Sequence, residues 1–326
     1  MKSHTPPVPV PVLMLVGITA ISFSSIFIKW SAAPVSIQGM YRLFFTSLLM
    51  LPFARPYTGS AARLKRSDWL LLLASGTLLA LHFLLWMGSL RYTSVASSTM
   101  ILALEPLFIM IGAYVWYKER TPSSALLGLG IALAGIGLIG WGDVGLSSDN
   151  LKGDLFSLGG TAAVAGHLLI GQKLAKRMPS YLYSLTVFAA AALVFAAYNL
   201  LMGIPFFDYP MREWGIFVLL AVVPTVFGHV LFNWLLQFVS AATVSMNILG
   251  EPVGSSILAF LLLGERLGAL QWSGGLLVIG GLAYYLYIEG RNRRSRAQEA
   301  GLAASRTGTA VETPETAEEQ ARPVPL

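Results

Sequence analysis

Cysteine is absent from the 326 residues, which excludes disulfides and thiolate metal sites. Charge is scarce: 12% of residues are Asp, Glu, Lys or Arg, against 55% hydrophobic. That is too little polar surface to coat a water-soluble globule. The ~10-residue alternating segments of a membrane barrel are also missing; the apolar runs approach the ~20 residues of a spanning helix. The four histidines show no metal-ligand spacing that agrees on membrane depth, so no metal or cofactor is assigned. The net charge of +6 arises mostly from bases beside apolar runs, where membrane topology accounts for them, and does not indicate nucleic acid.

What is present is a succession of ten apolar runs. After a proline-rich lead (1–11) they are Val12–Ile28, Val35–Phe53, Trp69–Leu90, Thr93–Trp116, Ser123–Trp141, Asp154–Gln172, Tyr181–Met202, Glu213–Leu235, Val239–Leu262 and Ala269–Ile288. Residues 142–153 link two groups of five. Residues 289–326 form a basic segment and then, beyond Arg296, an Ala-, Thr-, Glu- and Pro-rich stretch that reads as a disordered cytoplasmic tail. With the N-terminus inside, fourteen Lys and Arg fall in cytoplasmic breaks and five opposite, which predicts both termini inside. Trp30, Trp69, Trp116, Trp141 and Trp214 fall at helix ends, as interfacial anchors do.

The chain also repeats itself. A shift of 146 residues lays Ser94 on Ser240, Met100 on Met246, Glu105-Pro106 on Glu251-Pro252, Glu119-Arg120 on Glu265-Arg266, Gly128 on Gly274 and Gly135 on Gly281. Five spans per copy is an odd number, so the second copy enters the membrane upside down. The predicted architecture is all-α, ten transmembrane helices in two inverted five-helix repeats (12–141 and 154–288), the arrangement in which halves rock about a midplane site.

An ionised carboxylate at mid-bilayer costs ~2.5–3.5 kcal/mol, and protonating a water-like Glu at neutral pH costs ~3.7 kcal/mol. These nearly match, so Glu105 and Glu251 are candidates to exchange a proton as water reaches them. The competing reading is structural: Pro106 and Pro252 each break a helical hydrogen bond, and the neighbouring acid serves the freed backbone. Polar stripes at helical spacing run through Thr243, Asn247, Glu251 and Ser255, through Thr225, His229 and Asn233, and through Gln38, Arg42 and Thr46. Such faces turn toward protein or a wet cavity. Arg42, an always-charged group seven residues into a span, requires a counter-charge or an anionic ligand. His82 and Trp86 share a face of the third span; Trp86, one turn from its end, reads as an interface anchor or as a stacking residue. The glycines of the fifth and tenth spans read as packing faces.

The block from Ser89 through Arg91, Tyr92 and Ser94, followed by Glu105-Pro106, Glu119-Arg120 and a glycine-rich helix, then copied in the second half, resembles the EamA family of the drug/metabolite transporter superfamily. The resemblance implies a central substrate cavity between the first four helices of each repeat, with the fifth and tenth helices to one side. It also implies a secondary transporter in the plasma (inner) membrane, an exporter of small polar, amino acid-like compounds or drugs by alternating access. On that reading Glu105 and Glu251 shape broken helices and are the candidates for proton coupling, and Arg42 binds a substrate carboxylate or holds a counter-charge. Gln38, His82, Trp86, His229, Asn233 and Asn247 then line the cavity. The partners are a small-molecule substrate, membrane lipid and, with coupling, protons. Two rivals stay open: an uncoupled facilitator or channel, and a membrane enzyme acting on lipid-linked substrates, although the longest interior break, 54–68, offers only Asp68 as a catalytic acid.

Overall fold

The computed structural model describes residues 6, 8–93, 95–118, 123–141, 148–264 and 269–306, and among them there are helices and no strands. In chain order these are α1 (Val10–Trp30), α2 (Val35–Met50), α3 (Thr58–Ala61), α4 (Arg66–Ser89), α5 (Val95–Leu102), α6 (Glu105–Tyr117), α7 (Ser123–Trp141), α8 (Ser148–Leu174), α9 (Ser180–Leu201), α10 (Met211–Leu220), a π-helical segment (Ala221–Val230), α11 (Leu231–Leu235), α12 (Ala241–Ile248), α13 (Glu251–Leu263) and α14 (Ala269–Arg306). Among the described residues six helical stretches are long and apolar enough to cross a membrane, and large apolar side chains such as Leu15, Phe44, Leu193 and Leu276 face outward. This is a multi-pass membrane protein. Glu119-Arg120 and Glu265-Arg266 lie outside the described residues.

Proline stands immediately before α1, α2, α9 and α10 (Pro9, Pro34, Pro179 and Pro210), where its missing N–H forfeits no helical bond. The two Glu-Pro pairs use the same rule. The stretches 93–116 and 239–262, read from sequence as single spans, are each two helices: α5 ends at Leu102 and α6 begins at Glu105, α12 ends at Ile248 and α13 begins at Glu251. Each proline therefore occupies the first turn of a new helix, not the interior of an old one. The stripe from Thr243 to Ser255 is divided by this break. Both second halves end on a left-handed residue at equivalent positions, Lys118 (φ 56°) and Gly264 (φ 71°).

α5 packs on α13 and α6 on α12, so the two broken helices run antiparallel. Around them α4 packs between α8 and α9, α1 lies against the π segment and α13, α2 against α9, and α7 against α14. The main core joins α2, α4 and α9 through Ile37, Leu43, Phe83, Phe188 and Phe195. A second joins α1, α8 and α11 through Met14, Leu168 and Phe232. The last helix continues to Arg306, ten residues past the expected onset of the tail. Residues 297–304 are mostly Ala, Gln, Glu and Leu, which favour helix strongly, so composition without core-forming residues does not prevent a helix from extending.

Candidate functional site

The breaks bring both acids to one place. Glu105 and Glu251, 2% and 4% exposed, line a central cavity of about 30 Å³ together with His82, Trp86, His229, Asn233 and Ser24. That is room for about two waters, so the centre in this conformation is nearly collapsed. Immediately beside it the two breaks face each other directly across a cleft, Ala103, Glu105 and Pro106 on one wall and Leu249, Glu251 and Pro252 on the other. Glu105 Oε1 is buried with no hydrogen-bond partner. Among the described residues the one salt bridge, Arg177 to Asp68, involves neither acid.

Arg42 is fully buried one layer behind the cavity wall. Its Nε donates to Thr225 Oγ1 at 2.6 Å and an Nη donates to Ser24 Oγ at 3.0 Å, while the other Nη has no partner. The guanidinium carbon lies 4.1 Å from the centre of the Phe83 ring, a cation–π contact. Arg42 and Glu251 are within electrostatic reach, as are Glu251 and Glu105.

The sequence explains how Thr225 comes to meet Arg42. Pro224 has no N–H to offer the Leu220 carbonyl four residues back, and the Thr225 hydroxyl donates to it instead at 2.7 Å. The Thr46 hydroxyl donates to the Arg42 carbonyl at 2.8 Å and also lies 3.3 Å from the Ala221 carbonyl. With the Leu220 carbonyl satisfied from a side chain the helix widens into the π segment, and π turns gather at functional sites.

The remaining expected residues divide. His82 Nδ1 is 3.0 Å from the Gly160 carbonyl, and its ring lies parallel to that of Trp86. Trp86 is 2% exposed with an unpartnered indole N–H, so it lines the cavity and does not anchor an interface. Asn233 donates to Ser184 Oγ at 3.2 Å, and His229 meets the Phe83 ring edge-on. Gln38 and Asn247 are outside the cavity lining. Gln38 donates to the Ala33 carbonyl at 2.8 Å in the loop before α2, and Asn247 to the Thr243 carbonyl at 2.7 Å in its own helix; each spends its amide on nearby backbone.

Behind the cavity Ser75 Oγ lies 2.8 Å from both His167 Nδ1 and Tyr183 Oη, joining α4, α8 and α9. Sequence reasoning missed Ser75 and Tyr183, whose one signal is a hydroxyl in an apolar run. Among the described residues no three His, Asp or Glu side chains converge to hold a metal. A larger cavity of about 600 Å³, lined by Tyr57, Pro179, Ser184, Val230, Trp234 and Gln237, lies at the end of the bundle where α1 begins. The Asn233–Ser184 bond stands between the two spaces.

The model of the EamA-like transporter family matches residues 9–141 and again 151–287. The chain is similar to the uncharacterized transporters YwfM (27% identical, over 83% of this chain and 89% of the relative) and YcbK (26%, 84% and 92%) of Bacillus subtilis. It is also similar to an uncharacterized transporter of Archaeoglobus fulgidus (24%, 79% and 89%). A crystal structure shares its fold, with a TM-score of 0.69 and 18% identity, over 86% of this chain and 98% of the other.

Proposed function

This chain belongs to the EamA-like transporter family, and on that premise we propose that it exports a small polar or zwitterionic metabolite across the plasma membrane by alternating access. The observation that carries the proposal is the pair of buried acids on one small cavity between antiparallel broken helices. A buried carboxyl without a partner is costly to keep unless it is used. The nearly collapsed centre fits a state between openings, since a metabolite needs several hundred Å³.

Reciprocal packing supports the reading of ten spans in two inverted repeats: α4 on α8 is matched by the π segment on α1, and α2 on α9 and α7 on α14 each pair equivalent helices. The distribution of bases supports both termini inside. With that orientation the 600 Å³ space lies at the cytoplasmic end of the bundle, which supports loading from within. In the cycle Arg42 balances Glu251 from behind the wall, or meets the negative end of the cargo once the Ser24 wall parts, while His82, Trp86, His229 and Asn233 contact its body. Glu105 and Glu251 exchange protons as the cavity opens to either side.

Counterflow in proteoliposomes tests the proposal. A carrier loaded with unlabelled substrate takes up labelled substrate transiently above equilibrium, with saturation. Uptake that neither saturates nor responds to internal substrate marks a channel and ends the carrier reading.

A further inference from the structure

Away from the central site, two carboxylates repeat each other at opposite ends of the bundle. Asp68 is the third residue of α4 and precedes Trp69; Glu213 is the third residue of α10 and precedes Trp214. They are 145 residues apart, and so are Pro34, which closes the α1–α2 loop, and Pro179, which closes the α8–α9 loop.

Each acid reaches the loop of the opposite half. Glu213 accepts from the Ser31 hydroxyl through Oε2 and from the Ala32 N–H, at 3.1 Å, through Oε1. Asp68 accepts from the Arg177 guanidinium at 3.3 Å through Oδ1, and its Oδ2 accepts from the Lys65 N–H at 3.1 Å. Around Glu213, Arg91 donates to the Ser31 and Ala33 carbonyls and Arg212 to the Trp30 carbonyl.

The two ends are unequal. Glu213 and Ser31 are 4% and 3% exposed, whereas the Arg177 side chain is 54% exposed. Charge-assisted bonds sheltered from water hold firmly, and an exposed ion pair holds little. The wide cavity lies at the weak end, against Tyr57 and Pro179.

We propose that Asp68 and Glu213 are paired latches of the transport cycle, each tying down the opposite half's loop at one membrane face, with both engaged in this conformation and the Glu213 latch the firmer of the two. The proposal rests on the alternating-access reading. It assigns both residues a positioning role: neither touches the cargo, and each sets which face opens.

The absence of cysteine makes the test clean. Single reporters Ile37→Cys, one turn into α2 from the Ser31 loop, and Val230→Cys, in the larger cavity, are labelled with a membrane-impermeant maleimide in right-side-out and inside-out vesicles. Glu213→Gln raises labelling of Ile37→Cys from outside by about tenfold, the equivalent of about 1.4 kcal/mol, and lowers that of Val230→Cys from inside. Asp68→Asn shifts both the other way, by about two- to fivefold, and the double variant falls between. If Glu213→Gln does not fold, Ser31→Ala removes the same bond from the loop side. Shifts of one sign at both reporters, or none, overturn the latches, whatever counterflow shows. Opposite shifts with the two faces exchanged support the latches and overturn the orientation. Loss of counterflow in the unmodified chain, with opposite shifts retained, overturns the carrier reading alone.

Discussion

Gly135 on α7 faces the Gly274 carbonyl oxygen on α14 so closely that a Cβ at Gly135 would lie 2.5 Å from it. Gly128 faces the Gly281 carbonyl in the same way, at 3.0 Å. Since 274 and 281 are 128 and 135 advanced by 146, the partners are exchanged as a two-fold axis exchanges them. Gly135→Leu must push the helices apart, at a cost of about 1–3 kcal/mol. Gly137→Leu on the same helix meets nothing within 4 Å and should be near neutral. Thermal unfolding of both variants in detergent checks this; equal Tm values contradict it.

Arg42→Lys keeps the charge and loses the fork that reaches Thr225 and Ser24 while lying over Phe83. Lysine offers a point charge in place of a planar donor. Counterflow should fall by about tenfold or more, the 1.4 kcal/mol of one lost charged hydrogen bond, with the protein still monodisperse. Unchanged transport would remove Arg42 from the proposed machinery.

For Trp86 the expected effects on fold and function have opposite signs. Its buried indole N–H has no protein partner, and an unsatisfied buried donor costs about 1–3 kcal/mol. Trp86→Phe removes the donor, so stability should hold or rise while the KM for substrate increases. A loss of stability would show that the indole serves packing alone.

Glu251→Gln and Glu105→Gln test coupling. With one proton exchanged per substrate, each pH unit sustains about tenfold accumulation, 1.36 kcal/mol. A variant lacking the exchanging carboxyl retains substrate-for-substrate exchange and loses accumulation driven by a pH gradient. Gradient-driven accumulation that survives both substitutions assigns the acids to helix shape alone.

The Glu-Pro breaks were legible because an acid and a helix breaker in an apolar run have few innocent uses, and their repetition marks a common depth. Arg42 was legible for the same reason, although Ser24, its partner 18 residues earlier, looks like any other α1 hydroxyl. Spacing of four residues gave helix faces but not what each face meets, so Gln38 and Asn247 resembled cavity residues although they bond nearby backbone. Trp86 stands near a helix end in sequence, yet Met87, Ser89 and Leu90 beyond it are buried too, and residue count is not depth. The π segment was signalled only by Pro224, and the latch at Glu213 by an acid at a helix start, where capping is the ordinary explanation.

Near the middle of this bundle Glu251 is within electrostatic reach of both the Arg42 guanidinium and the Glu105 carboxyl. When both acids ionise, two negative charges face the single positive charge of Arg42, and either a proton or the ammonium of an amine-bearing cargo can provide the missing one. Competition for that single place gives a stoichiometry of one for one. A cargo of net charge +1 would then be traded for a proton electroneutrally, beyond the hold of the membrane voltage, whereas a zwitterion traded for a proton would leave the exchange driven by it.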